Sequence, residues 1–183
     1  MISVEEALEK VLSYVNVLEP EDVSILDSLG RVLAEDVYSD IDIPPLDNSA
    51  MDGYAVQPES TKGASPSAPR ILHIIGEVAA GYIARDEVTA GTAIRIMTGA
   101  PIPKGADAVV QFEDTDEEKR KKAGKPLTEI CILRQAGKGL NIRKAGEDIS
   151  KGSLVLKTGT VLRPQEVGVL ASLGKDIVRV IRR

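Results

Sequence analysis

Leu46-Asp47-Asn48-Ser49-Ala50-Met51-Asp52-Gly53-Tyr54-Ala55-Val56 directly follows the stiff pair Pro44-Pro45, and it marks where the chain changes texture. Helical and extended signals precede it, and short alternating apolar segments follow it as far as Leu140. The stretch interleaves carboxylates, an amide, a hydroxyl and a glycine with Leu, Met and Tyr. Such a mixture fits a polar cluster seated against a packed surface, which is how binding sites are built. Arg95-Ile96-Met97-Thr98-Gly99-Ala100-Pro101-Ile102-Pro103 and Asn141-Ile142-Arg143-Lys144-Ala145-Gly146-Glu147-Asp148-Ile149 have the same character. The question they pose is whether the three stretches meet in space.

Working outward towards the N-terminus, Ser3 and Glu6 have the spacing of a capping box, so a helix is expected to start there. Val4, Ala7, Leu8, Val11, Leu12 and Val15 recur at helical spacing, which carries that helix to about Val15. Val23-Ser24-Ile25 reads as a short extended piece, and Asp27 or Ser28 can cap a second short helix through Leu29, Val32 and Leu33. Ala34 to Ile43 reads as extended before the prolines stop it.

Towards the C-terminus, strands are expected at Tyr54-Ala55-Val56, Ile71 to Val78, Thr92 to Met97, Ala108 to Phe112 and Glu129 to Leu133. Gly, Pro and Ser separate them, a spacing that suits a small β-barrel or sandwich. Thr61 to Pro69 reads as a mobile loop, and the charge run Asp116 to Lys122 as a solvated hairpin tip. Ser153 to Leu156 and Gly159 to Leu162 read as extended. A helix then starts at Pro164, with Glu166 in its first turn and Gly174 as its stop. Ile177 to Ile181 reads as a last apolar strand, and its abruptness suggests a boundary within a longer polypeptide. The expected fold class is α/β (α+β). Residues 1–45 and 141–183 would form a discontinuous α/β domain interrupted by an inserted β-rich domain at 46–140.

At 183 residues with 43% hydrophobic and 28% charged content, the chain can bury a core of globular type. Aromatics make up 3% and the net charge is -5, which argues against stacking platforms and polyanion surfaces, so no nucleic-acid partner is expected. A small anionic ligand stays open, because a local field can oppose the net charge. No apolar run approaches the roughly 20 residues that cross a bilayer, so no membrane partner is expected. Met1 is followed by an amphipathic segment and not by a leader, and the single Cys131 lies in an apolar run. A cytoplasmic location and an inert core thiol are expected.

Asp47 and Asp52 could supply part of a Mg²⁺ shell, since that ion takes one or two carboxylates plus ligand phosphates. Asp47 could equally shape an Asx-turn or a cap. Thr98-Gly99 ends a strand with a hydroxyl and room for a ligand against the backbone, or makes a tight strand exit. Arg95 shares a strand face with Met97, opposite Ile94 and Ile96. Arg143, Lys144, Glu147 and Asp148 put cations beside acids, which a surface ion-pair cluster would also do. The lone His73 reads as a strand residue, and no zinc set, Walker loop, dinucleotide loop or serine elbow is present. These residues alone do not define a reaction.

The three stretches, with Leu29-Gly30-Arg31-Val32-Leu33-Ala34 and Ala171-Ser172-Leu173-Gly174, resemble the MoeA family of molybdopterin molybdenumtransferases, which includes the gephyrin E domain. The resemblance covers the family's N-terminal portion only. It implies an elongated homodimer whose N-terminal α/β domain is interrupted by a β-rich insert. It implies insertion of molybdate into adenylylated molybdopterin, with release of AMP and a divalent cation such as Mg²⁺. The implied site is a cleft shared with a later domain of the other subunit. Carried onto this chain, it gives Asp52, Thr98 and Asp148 as catalytic candidates and Ser49, Arg95 and Arg143 as substrate-binding candidates. It leaves Asp47 a structural role and names no metal ligand. The family's later motifs, of Gly-Asp-Glu-Leu and Ser-Gly-Gly type, are not in these residues, so the chain alone is expected to lack transferase activity. The alternative is a non-catalytic pterin-binding, dimerisation or scaffold module.

Overall fold

The computed structural model describes residues 2–183. In chain order the elements are α1 (Val4–Leu12), β1 (Pro20–Ser24), β2 (Val37–Tyr38), β3 (Asn48–Ser49), β4 (Gly53–Val56), β5 (Arg70–Val78) and β6 (Thr92–Ile96). Then follow β7 (Ala108–Gln111), α2 (Glu117–Lys122), β8 (Glu129–Ile132), β9 (Ile142–Arg143), β10 (Leu154–Leu156), α3 (Pro164–Ser172) and β11 (Ile177–Ile181). The fold is mixed α/β and dominated by sheet. The chain divides into two compact units, one of residues up to Ile41 with Lys151–Arg183 and one of Asp42–Ser150.

In the first unit, β1 pairs antiparallel with β11 and β10 with β2. The Ser3–Glu6 capping box forms as its spacing predicts, with both reciprocal hydrogen bonds present at 2.9 and 3.1 Å. The helix it starts ends at Leu12, short of Val15, and buries none of its residues. The second helix expected through Leu29 and Leu33 does not form. Gly30 sits at φ 74°, a left-handed conformation that ends a helical turn, and only Ile25–Asp27 makes a single 3₁₀ turn. Val32 and Leu33 instead bridge to Val161 and Val180, because Leu33 reaches full burial only as part of this sheet layer. Between Ala34 and Ile43 the extended stretch is reduced to the two-residue β2 and a bridge at Ile43.

In the second unit, a five-stranded sheet runs in the order β7-β4-β6-β5-β8. Every pairing is antiparallel except β5 with β6. The expected strands occur here within a residue or so of their predicted ends. The sheet curls, and Thr115, just past β7, bridges to Ile132 in β8. Strand β4 lies between β6 and β7 and is wholly buried. Tyr54 and Val56 pack on one face with Leu72, Ala93, Val110 and Ile130, and Ala55 packs on the other with Val78, Ile94, Ile96 and Val109. Period-2 alternation thus feeds two apolar clusters, one on each face. Gly53 has no room for a side chain, since a Cβ there would lie 2.0 Å from the Val110 carbonyl oxygen.

Three further segments differ from their sequence reading. Asp116 to Lys122 is a helix rather than a hairpin tip, and Glu117 within it is 2% exposed. Thr61 to Pro69, expected as a loop, is tied down: Thr61 is fully buried, its hydroxyl accepts from the Ala136 N–H at 3.0 Å, and Ser65 bridges Ala68. Residues 141–150, assigned from the sequence to the terminal domain, lie in the second unit. There β9 pairs with β3, and Ile149 bridges Ile43.

Candidate functional site

The segment Asp47–Asp52 is the meeting point of the three polar stretches. On one side Ile102 donates its N–H to the Asp47 carbonyl at 3.0 Å, Ser49 to Ala100 at 3.0 Å, and Gly99 to Ser49 at 2.9 Å. On the other side Asn48 pairs with Arg143 and Ser49 with Ile142, while Ala50 donates to the Asn141 carbonyl at 2.9 Å. Segments distant in sequence therefore converge because a short strand, β3, has partners on both edges.

Asp52 and Thr98 are in direct contact. Asp52 Oδ1 accepts from the Thr98 N–H at 2.7 Å and from its hydroxyl at 2.8 Å. Both residues are exposed, and Gly99 at φ 81° turns the chain away beyond them. The Thr98 N–H, then its hydroxyl, hold the Asp52 carboxyl below its ordinary value, with the charge of Arg95 adding to the effect. Whatever these hydrogen bonds to the ionised carboxylate contribute to stability is present above pH 3.8 and is lost as pH falls through the lower folded midpoint. Replacing Thr98 by Val removes the hydroxyl and keeps the leading N–H. The Asp52 midpoint, followed by carboxyl NMR, is then expected to rise towards 3.8 without reaching it. A full return to 3.8 would show the hydroxyl, not the backbone, as the dominant cause.

The same latch recurs in the first unit: Asp36 Oδ1 accepts from the Thr158 N–H at 2.8 Å and its hydroxyl at 3.0 Å. Gly159 follows at φ 83°. This geometry is thus a way of fixing a strand exit, and it does not by itself mark chemistry. What separates Asp52 from Asp36 is its neighbourhood.

That neighbourhood includes an ion-pair network. Arg143 reaches Asp148 at 2.6 Å and Glu147 at 3.3 Å, and Lys144 reaches Asp47 at 2.6 Å. Asp47 also accepts from the Ala145 N–H at 2.9 Å. Lys144 first, and then this N–H, hold the Asp47 carboxyl below its ordinary value. Asp47 therefore ties the turn at 144–147 to β3, the structural role the resemblance left it. Arg143 and Asp148 satisfy each other on an exposed surface, where such pairs contribute little, so both side chains can exchange partners for a ligand. Ser49 is 1% exposed, and its hydroxyl donates to the Met51 carbonyl at 2.6 Å. It shapes the turn before Asp52 and presents no hydroxyl outward.

Arg95 belongs to a different cluster. Its guanidinium reaches Glu77 at 2.6 Å and Glu117 at 3.1 Å, and lies 4.7 Å from the centre of the Phe112 ring. Glu117 also takes Lys121 at 2.5 Å and the Tyr54 hydroxyl at 2.6 Å. Burial raises the Glu117 pKa, but the bonds from Lys121, Tyr54 and Arg95 outweigh it, so the carboxyl sits below its ordinary value. Burial and then Glu117 push the Tyr54 phenol well above its own. Arg95 is thus committed to protein partners and acts on Asp52 through its charge. Sequence reasoning missed Glu117, because a single buried acid is hidden in a run of seven charged residues; only its place in the first turn after Thr115 distinguishes it.

Among the described residues, no group of three or more His, Cys, Asp or Glu side chains could hold a metal. Thr98 engages Asp52 Oδ1, which leaves Oδ2 as the oxygen of that carboxylate turned away from the latch. Cys131 is half-buried rather than a core thiol, the Arg120 guanidinium donates to it at 3.6 Å, and burial raises its pKa, which disfavours the thiolate. His73 is an exposed strand residue, as read from the sequence.

A mixed α/β, sheet-dominated chain with a curled sheet and a convergent polar cluster around β3 is the class these features define. The chain belongs to the MoeA family, because the family model for the MoeA N-terminal region (domain I and II) matches residues 2–174. It is 38% identical over 183 residues to molybdopterin molybdenumtransferase 2 of Mycobacterium tuberculosis (strain CDC 1551 / Oshkosh), covering 100% of this chain and 43% of the relative. It is 40% identical over 182 residues to the molybdopterin molybdenumtransferase of Bacillus subtilis (strain 168), covering 100% of this chain and 41% of that protein. The crystal structure of the molybdopterin biosynthesis moeA protein from Pyrococcus horikoshii OT3 superposes with a TM-score of 0.89 at 42% identity. That superposition covers 98% of this chain and 46% of the other. The chain therefore spans less than half the length of these relatives. Among the described residues no helix is long and apolar enough to cross a membrane.

Proposed function

We propose that this chain supplies the N-terminal part of a composite site that inserts molybdate into adenylylated molybdopterin and releases AMP. The observation that carries this reading is the convergence of three distant stretches on Asp47–Asp52 in a chain whose relatives bear the name molybdopterin molybdenumtransferase. Asp52 stays ionised at neutral pH and offers Oδ2 to a cation or to a proton on substrate. The Thr98 hydroxyl gives its hydrogen to Asp52, so its lone pairs are left to accept from a ligand. Arg143 and Asp148 open to bind oxyanion and donor groups, respectively. A divalent cation such as Mg²⁺, held by Asp52 and the substrate's phosphates, would neutralise charge on the leaving AMP. The remaining wall of the site comes from a further domain of the partner subunit in a cytoplasmic homodimer. The units Asp42–Ser150 and its flanks correspond, on this reading, to an inserted barrel-like domain and a discontinuous α/β domain.

A second reading, a non-catalytic pterin-binding or dimerisation module, draws on the repeat of the Asp52–Thr98 latch at Asp36–Thr158. One experiment separates the two. A chimera is made in which this chain replaces the matching N-terminal part of the Bacillus subtilis relative, in a strain lacking that enzyme. Restored activity of a molybdenum-dependent oxidoreductase is expected. A chimera that folds and dimerises but restores nothing would favour the module.

A further inference from the structure

One loop next to the site is unused by the function proposed above. Strands β5 and β6 are parallel, with Val78 opposite Ile96, so the chain leaves both at the same end of the sheet. The turn after β6 carries Thr98. The loop after β5, residues 79–86, lies beside it: Met97 donates its N–H to the Val78 carbonyl at 3.1 Å, and the Ala80 side chain is 3.7 Å from where a Cβ on Gly99 would stand. The base of the loop is fixed, with Tyr82 donating to the Ala79 carbonyl at 3.1 Å and Val88 to Lys104 at 2.8 Å. Its tip is not covered: Tyr82 is 71% exposed and Ile83 78%. Beneath the tip is an open cavity of about 380 Å³, lined by Val78, Tyr82, Ile83, Arg85 and Asp86 among others. That volume falls within the range of small-molecule sites, roughly 300–1,000 Å³. Asp86 and Arg85 have no hydrogen-bond or ion-pair partner among the described residues, and Asp86 Oδ2 stands 3.5 Å from a Cβ built on Gly76.

We propose that this loop is the ring-binding subsite of the same site, and that it takes a pterin ring: Tyr82 and Ile83 cover the flat face, and the Asp86 carboxylate pairs with the ring edge. The inference rests on the function proposed above, since it places the heterocycle of a ligand whose charged arm lies at Thr98 and Asp52. The chemistry of the edge selects the pterin over adenine. A 2-amino-4-oxo pyrimidine ring presents an amino group and an adjacent ring N–H as two parallel donors, which match the two oxygens of a carboxylate. An adenine edge presents a donor beside an acceptor, and its acceptor would face a carboxylate oxygen. Stacking on Tyr82 is tolerant of ring type, so discrimination falls to Asp86.

The test uses pterin-6-carboxylate and AMP as separate probes, titrated into the chain and followed by the ring resonances of its four tyrosines. Tyr14 and Tyr38 are also exposed, at 79% and 51%, and act as internal controls for unspecific stacking. The pterin is expected to shift Tyr82 upfield and leave Tyr14 and Tyr38 in place. Asp86→Asn is expected to weaken pterin binding about tenfold, equivalent to about 1.4 kcal/mol, with an unchanged amide spectrum elsewhere. Tyr82→Phe should retain binding and Tyr82→Ala lose it. Equal shifts of all exposed tyrosines, no shift of Tyr82, or a Tyr82 response to AMP and not to the pterin would each overturn the assignment. A chimera active in cofactor insertion with Tyr82 silent to the pterin sinks this subsite alone. An inactive chimera with a Tyr82 response leaves the subsite standing and removes the catalytic reading.

Discussion

Asp52→Asn in the chimera with the Bacillus subtilis relative is expected to lower molybdate-dependent AMP release by about 100-fold or more, the scale of losing one group that acts on developing charge. The melting temperature should change little, because Asp52 is exposed and its hydrogen bonds are at the surface. The amide can still accept from the Thr98 N–H and hydroxyl, so the latch at the strand exit survives. What it loses is the charge and the second acceptor, Oδ2. The equivalent change at Asp36, whose latch with Thr158 has the same geometry, should leave turnover within about twofold, on the order of 0.4 kcal/mol. That contrast separates chemistry from strand fixing. If Asp36→Asn and Asp52→Asn behave alike, the latch is structural at both places and the site has been misassigned.

Glu117→Ala carries the largest expected effect on stability, about 3–5 kcal/mol, because it leaves Arg95 and the Tyr54 hydroxyl without their buried partner. Thermal or urea unfolding of the chain would measure it. Such a loss is a large part of the stability of an ordinary domain, roughly 5–15 kcal/mol, so the variant is expected to unfold at a clearly lower temperature or urea concentration than the wild type. Glu117→Gln should cost less, since the amide oxygen still accepts from Tyr54. The network also sets a pH dependence. The Glu117 carboxyl titrates below its ordinary 4.5 when folded, so its contribution is complete above pH 4.5 and declines as pH falls below it. Acid unfolding of the wild type should therefore steepen below that pH, and the Gln variant should lack this component. A variant with unchanged unfolding at neutral pH would mean that α2 is an appendage and not an anchor.

The β-rich unit was legible from the sequence because its information is local. Strands such as Arg70–Val78 and Thr92–Ile96 are short apolar runs rich in β-branched residues, preceded by Pro69 and Gly91, and that signal is visible in a single chain. The end segments were less legible. Leu33 looks like a helix position from its spacing with Leu29 and Val32, but its burial is satisfied by partners more than a hundred residues away, at Thr160 and Val180. Long-range pairing of this kind leaves no local signature. Gly30, which ends the turn, is a signal the sequence did contain.

The site shows the same division. Asp52, Thr98, Arg143 and Asp148 stand out as polar residues set among glycines and prolines, and the structure brings their three stretches together around β3. Residue type did not tell which side chains were free. Ser49 and Arg95 look like ligand-binding groups in the sequence, yet one is spent on a turn and the other on a buried network. Commitment to a protein partner is a tertiary property. The opposite error occurred at Asp116 to Lys122, where average charge concealed the one acid that anchors the cluster. The uncommitted Asp86 lies in a loop that composition alone gave no reason to notice.

On the function proposed above, this chain forms one wall of a transferase site and does not turn over alone. The most direct test is molybdate-dependent release of AMP from adenylylated molybdopterin by three purified species. These are this chain alone, the C-terminal part of the Bacillus subtilis relative alone, and the chimera joining them. Turnover is expected from the chimera and none from either part. Equal turnover from the C-terminal part with and without this chain would contradict the proposal, because the residues around Asp52 would then take no part in the reaction.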